Sequence, residues 1–309
     1  MKGLAVSLAR LALRQLVIAQ LRNLEQVCFE PVPRLNVISG ANGQGKTSIL
    51  EAIYLLLTSK SFRTPRSKEL IRLGQTIASV RAVVVEHWQN EAITREQSVG
   101  LQASTKLVRL DGEPPISLAH YATRSPVVLF DPHQLVLSTG PAAPRRTLLD
   151  RLTLFTHPQL APHRSHYVRA LKGRQRLLAD RYPRIEQCSE LDAYETLLAE
   201  HGAAITRART EAALRLADRV REAFGHIATD GLSLEVAYAA AGSDNPAHAC
   251  QELYGARSRD ARCKRAAFGP HRDDLVLSLA GQPARVVASQ GQHRMITLAL
   301  KVAEMGCIC

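Results

Sequence analysis

Aromatic residues make up only 5% of the chain, with a single tryptophan, which leaves no row of stacking platforms of the kind that single-strand nucleic-acid binders use. Long apolar runs are missing too. Ile49–Leu57 and Pro126–Phe130 fall far short of the roughly 20 residues that cross a bilayer, so no membrane partner is expected. Met1–Leu13 mimics a signal peptide, but Arg10 and Arg14 interrupt the apolar run and no small-residue cleavage site precedes Leu16. The predicted location is the cytoplasm. The six cysteines (Cys28, Cys188, Cys250, Cys263, Cys307 and Cys309) are scattered, without the paired spacing of a zinc site or a disulfide framework. Acidic residues are also in short supply: 28 Asp and Glu stand against 40 Lys and Arg, a formal charge of +12. Such a surplus attracts polyanions whatever the fold, and nucleic acid is the leading candidate partner. A merely basic soluble protein is the alternative on composition alone.

The pattern along the chain is α/β. Leu16, Ile18 and Leu21 mark a strand within Arg14–Asn23, and Leu35–Ser39 reads as a second strand running into a glycine-rich turn. Thr47–Leu57 carries Ile49, Leu50, Ile53, Tyr54 and Leu57 at helical spacing. Ala78–Glu86 and Lys106–Leu110 read as strands, and Asp111-Gly112 is a tight-turn dipeptide. From about Arg145 to Ile227 the pattern is helical, broken near Pro183–Ser189, and is predicted to form an antiparallel arm. Strands return at Ser233–Tyr238, Asp274–Leu279 and Pro283–Ala288, with a turn at Ala280-Gly281, and a helix follows from about Gln292 to Glu304. The predicted division is an α/β lobe over residues 13–140, a helical arm over 141–230 and a return to that lobe over 231–309.

Gly40-Ala41-Asn42-Gly43-Gln44-Gly45-Lys46-Thr47 fits the phosphate-loop pattern, and it sits between an expected strand and an expected helix, as that chemistry requires. Glycines let successive N–H groups turn inward as an anion nest at the positive end of the helix. Lys46 adds a cation for the β- and γ-phosphates of ATP, and the Thr47 hydroxyl is placed to ligate Mg²⁺, with Ser48 opening the helix beside it. A second constellation, Ser289-Gln290-Gly291-Gln292, opens the last helix. It is either a simple helix cap or the element that, in ABC-type ATPases, offers donors to the γ-phosphate held by the opposite subunit.

Arg22-Asn23-Leu24, the loop with its continuation Ser48-Ile-Leu-Glu-Ala-Ile-Tyr54, Lys60-Ser-Phe-Arg63-Thr, Pro144-Arg-Arg-Thr-Leu-Leu-Asp150-Arg151, Gly269-Pro-His-Arg-Asp-Asp274 and Ala288-Ser-Gln-Gly-Gln-His-Arg294 follow one another in order. In these motifs, over about Leu13 to Glu304, the chain resembles the RecF recombination-protein family. The resemblance implies a P-loop, ABC-type ATPase head like that of SMC proteins, with a helical insertion lobe. It implies an ATP-dependent homodimer that clamps gapped DNA, works with recombination mediator proteins to load the recombinase, and serves recombinational repair, replication restart and the SOS response. Gly40 to Ser48 would hold ATP, and Ser289 to Gln292 would form the trans signature.

Two departures bear on that expectation. The family continues into a strand ending in paired acids that hold Mg²⁺, whereas this chain stops at Cys309, and Met305–Cys309 reads like a foreign tail. A C-terminal truncation with weak or absent ATP hydrolysis is therefore the sequence-based expectation. Met1 to about Ala12 reads as an extension without a motif. Val127–Asp131 is read as an apolar structural strand rather than the missing metal-holding one, because Pro132 follows where a second acid is wanted.

DNA contact is assigned to cations on the arm, Arg169, Lys172, Arg174 and Arg176 with Arg164, Arg181 and Arg184 beside them, and to Arg262, Lys264 and Arg265 with Arg257 and Arg259. Phosphate contacts of this kind give sequence-independent, salt-sensitive affinity. A solvated charged face is the alternative. Arg63, Arg145, Arg146, His271 and Arg272 are open between structural and ligand roles, and Gln134 is the candidate γ-phosphate-sensing glutamine. Competing functions are a small-molecule kinase or other P-loop ATPase, or a hydrolysis-defective fragment.

Overall fold

A computed structural model describes residues 10–88, 91–181, 188–228 and 231–308, which gather into two compact units, the chain dividing between Leu129 and Phe130. Residues 1–9 of the N-terminal extension, Arg184, most of the expected break at Pro183–Ser189, and Cys309 lie outside the described residues.

The first unit is a five-stranded antiparallel sheet in the order β2-β1-β3-β4-β5, made of β1 (Arg10–Leu21), β2 (Leu24–Phe29), β3 (Ile77–Trp88), β4 (Glu91–Gln102) and β5 (Thr105–Leu110). In register, Leu16 faces Ala82 and Ile18 faces Val80. These four, with Val99 and Leu101, are buried under helix α1 (Lys46–Thr58), which contributes Ala52, Leu55 and Leu56. The alternation along each strand puts one face in the core. Tyr121 of the short helix α2 (Leu118–Thr123) is buried and donates its hydroxyl to the Leu56 carbonyl, tying α2 to α1. Asp111 and Gly112 both take positive φ, 51° and 83°, in the tight turn that their sequence favours.

Leu35–Ser39 is not a strand. Leu35 and Val37 are 74% and 78% exposed, and no described segment pairs with them. Asn36 instead closes a local loop, accepting from the Val32 N–H and donating to the Val32 carbonyl, both at 2.8 Å. A short polar side chain bonded to nearby backbone competes with a ladder.

The second unit is built on α6 (Ser189–Ile227), a 39-residue helix. Before it come α3 (Val136–Thr139), α4 (Ala142–Thr156) and α5 (Ala161–Arg181). After it come β6 (Leu234–Ala239), α7 (Pro246–Gly255), α8 (Arg257–Cys263), β7 (Asp274–Leu279), β8 (Gln282–Pro283), α9 (Ala284–Val287) and α10 (Gln290–Ile308). The arm helices thus share one unit with the return segment. Leu149 and Leu152 of α4, Leu216, Val220 and Phe224 of α6, Leu275 of β7, and Ile296 and Leu300 of α10 form its main core.

Two strand expectations fail here. Pro283 ends β8 after two residues, because it lacks the N–H that would carry the ladder onward, and Ala284–Val287 coils into α9. Val127–Asp131 makes no strand either: Asp131 caps a 3₁₀ turn at Pro132–Leu135, accepting from the His133 N–H at 2.6 Å. Gln134 lies in that same turn.

Candidate functional site

The phosphate loop has the backbone that its glycines were expected to allow. Gly40, Gly43 and Gly45 have φ of 145°, 82° and 91°, a region that L side chains rarely enter. At Gly45 space is limiting as well, since a Cβ would lie 2.5 Å from Leu24 Cδ2. Gly45 is the residue before α1, and the N–H groups of Gly43 to Thr47 make no hydrogen bond among the described residues, which leaves unpaired donors at the helix's positive end. Lys46 Nζ reaches back over the loop and donates to the carbonyls of Gly40 and Ala41, each at 2.7 Å.

Residues whose role was not read from the sequence brace this loop. Asn23, in the turn between β1 and β2, donates to the Gly43 carbonyl at 2.8 Å and accepts from Ser48 Oγ at 2.8 Å. Beside it Arg22 grips Glu51 of α1 with two bonds of 2.9 Å, and Arg63 reaches the same carboxylate at 3.4 Å. Burial pulls the Glu51 pKa upward, but bonds from Arg22 and Ser61 and the charges of Arg22 and Arg63 outweigh it and hold the carboxyl below its ordinary range. The only sequence signal was that Arg22-Asn23 and Lys60–Arg63 flank the loop.

Around these residues opens a cleft of about 510 Å³, walled by Arg22, Asn23, Asn42, Lys46, Thr47 and Arg63 among others. Its charged walls are cations, which suits a polyphosphate. The donor set therefore fits a nucleoside triphosphate: main-chain amides, one ammonium, two guanidinium groups and the exposed Thr47 hydroxyl.

Ser289 caps α10 in a reciprocal box: its N–H donates to Gln292 Oε1 at 2.7 Å, and its hydroxyl accepts from the Gln292 N–H at 3.3 Å. Ser289, Gln290 and Gly291 are exposed at the helix's positive end. The cap is thus present, and its face is open.

Two other landmarks meet at the base of the arm. Arg145 holds Asp274 through bonds of 2.7 and 2.9 Å and also donates to the Leu137 and Gly140 carbonyls at 3.0 Å, so its role is structural. Arg209 of α6 spans Asp150 and Asp273, at 2.6 and 2.8 Å. Tyr238 donates to the buried Asp273, and its own pKa is raised by burial and by that carboxylate.

The basic clusters need correction. Arg174 is fully buried, donating to Glu195 at 2.9 Å, Asp260 at 2.7 Å and the Leu253 carbonyl at 2.7 Å. Its cation is spent on those partners and is withdrawn from the DNA set. Arg257 is likewise buried, against Glu195 and Asp192. Arg169, Lys172, Arg176, Arg262, Lys264 and Arg265 are exposed.

Over residues 12–307 the chain matches the family described as RecF/RecN/SMC N terminal domain. It is 35% identical over 306 residues to the DNA replication and repair protein RecF of Anaeromyxobacter sp. (strain Fw109-5), covering 95% of this chain and 79% of that one. To the protein of the same name from Myxococcus xanthus it is 35% identical over 294 residues, covering 92% and 76%. The solved structure of the recombination mediator protein RecF with ATP, in the RecFOR pathway, matches with a TM-score of 0.85 at 25% identity, covering 96% of this chain and 80% of that one. An Smc head domain from Pyrococcus furiosus matches at 0.53 with 15% identity, over 96% and 79%, a likeness of fold.

Proposed function

The chain belongs to the RecF proteins of the RecF/RecN/SMC family, and from that premise we propose that it is an ATP-gated DNA-binding protein of recombinational repair. Its fold is the α/β, P-loop, ABC-type ATPase head with a helical insertion. The observation that carries the reading is the unpaired amide nest of Gly43 to Thr47 with Lys46 beside it, in a cleft whose charged walls are all cations.

ATP, when bound, supplies the terminal phosphate through which two copies close. Gly40 to Ser48 would hold the phosphates, with Lys46 as the neutralising cation, and the Thr47 hydroxyl would be the protein's ligand to Mg²⁺. Glu51 orients Arg22 and Arg63 at the cleft wall without itself meeting the nucleotide. Ser289 to Gln292 serve as the trans signature of an ATP-dependent homodimer, the amides of Gln290 and Gly291, which the cap leaves unpaired, meeting the partner's nucleotide. Exposed cations of α5 and of residues 262–265 hold the DNA backbone. Family membership supports the further reading that it loads a recombinase with mediator proteins, serves replication restart and supports the SOS response. No helix among the described residues is long and apolar enough to cross a membrane, and we place the protein in the cytoplasm with its DNA.

Family membership sets aside the kinase reading. The test is binding of a labelled gapped duplex across a salt series, with and without ATP. ATP-promoted, salt-sensitive binding is expected; affinity indifferent to ATP would overturn the proposal.

A further inference from the structure

We infer that Arg146, Arg265 and Arg272 together form a site in the second unit that grips a backbone phosphate of DNA, an assignment that rests on the DNA-binding reading above. The three come from separate elements. Arg146 lies on α4, Arg265 follows the left-handed Lys264 that ends α8, and Arg272 closes the 3₁₀ turn Pro270–Arg272. Hydrogen bonds bring them together. Arg146 Nη1 donates to the carbonyl of Asp273, next to Arg272, at 2.8 Å, and His271 Nε2 lies 3.2 Å from the carbonyl of Ala266, next to Arg265.

Every acid nearby is already committed. Asp150 and Asp273 are held by Arg209, Asp260 by Arg174 and Asp274 by Arg145. Among the described residues no carboxylate lies within ion-pair distance of Arg146, Arg265 or Arg272, and the side chains of Arg265 and Arg272 make no hydrogen bond. Arg174, Arg209 and Arg257 are buried against acids, whereas Arg265 and Arg272 have no carboxylate partner among the described residues and stand near Arg146. Burial and then the charges of Arg265 and Arg146 hold the Arg272 guanidinium below its ordinary range, outweighing the opposing pull of Asp260, as expected of crowded cations.

Crowded like charges are unfavourable until an anion joins them, and guanidinium forks match the paired oxygens of a phosphate. Arg265 is exposed, while Arg146 and Arg272 are half-buried and held by their elements. The site is open enough for a polymer, yet its members are positioned. The side chains assigned to the site are all guanidinium groups, which match phosphate oxygens, so the contact is to backbone and blind to sequence.

The test compares the wild type, Arg265→Gln/Arg272→Gln and a charge-matched control on exposed arginines elsewhere in the unit, Arg207→Gln/Arg285→Gln. Duplex binding is measured with ATP at several salt concentrations, ATP binding is measured separately, and melting is followed against inorganic phosphate. The double variant should bind DNA about tenfold more weakly, with a salt slope shallower by about 0.9, the share of one phosphate contact. Its ATP binding should match the wild type and the control should keep its slope. An unchanged slope in the double variant, or an equal loss in the control, overturns the assignment. Phosphate raising the wild-type melting temperature but not that of the double variant, with the DNA slope unmoved, would mark a free-phosphate site and overturn the DNA assignment. A wild type that binds no DNA at all overturns the functional reading and this site together.

Discussion

Arg22 and Glu51 clamp the end of an interior strand to the phosphate-loop helix: two parallel bonds of 2.9 Å join the residue just after β1 to the middle of α1. Glu51 is wholly buried while Arg22 remains 21% exposed at the side chain, so the pair is shielded on one side and open to the nucleotide cleft on the other. Removing the carboxylate leaves Arg22 and Arg63 without their anchor. Glu51→Ala should cost about 3 kcal/mol of stability in urea unfolding at neutral pH. Because the folded pKa is lowered from 4.5, the ionised carboxylate stabilises the fold above that value, and the contribution is lost as pH falls through the folded pKa. The gap between wild type and Glu51→Gln should therefore narrow on acidification below 4.5; a gap that widens there contradicts the pairing.

Gly45→Ala tests the loop's backbone. With φ at 91° and a new Cβ 2.5 Å from Leu24 Cδ2, the variant should lose about 1–3 kcal/mol in melting experiments. Nucleotide affinity should fall with it. Full stability and full affinity together would show that the loop does not need this conformation.

Ser289 caps α10, and the proposed dimerisation gives it a second, separable duty. Asparagine caps helices as well as serine does, so Ser289→Asn should melt within about 0.5 kcal/mol of the wild type while ATP-dependent dimerisation, followed by light scattering, is lost. Dimerisation that survives would leave Ser289 a cap only.

Arg174 and its exposed neighbours should behave in opposite ways. Arg174→Ala strands Glu195 and Asp260 in the interior and should cost about 3–5 kcal/mol. Arg169→Ala/Lys172→Ala should leave melting unchanged and flatten the salt dependence of DNA binding by about 0.9 per lost phosphate contact. A fully stable Arg174→Ala would contradict its burial.

These contrasts also show what a sequence reveals. The phosphate loop and the Ser289 cap were legible because each is built from consecutive residues whose spacing fixes the geometry. The turns at Asp111-Gly112 and Ala280-Gly281 were legible for the same reason. Arg174 was not, since its partners Glu195 and Asp260 lie 21 and 86 positions away and a run of cations looks alike whether solvated or buried. Leu35–Ser39 has strand composition, yet a strand exists only beside another strand. β4 escaped notice because Glu91–Gln102 is largely polar and its apolar positions are sparse, its place being set by pairing with β3 and β5. Glu51 looked like one more polar residue on an amphipathic helix, and only the fold brings Arg22 and Arg63 to it.

The central claim is that the Lys46 ammonium and the amides around it grip the terminal phosphates of ATP. Titration calorimetry of ATP with Mg²⁺ into the wild type and Lys46→Met, at matched melting temperature, tests it most directly. Loss of one charge-assisted contact predicts affinity weaker by about 10- to 100-fold in the variant, whereas equal affinities would contradict the account.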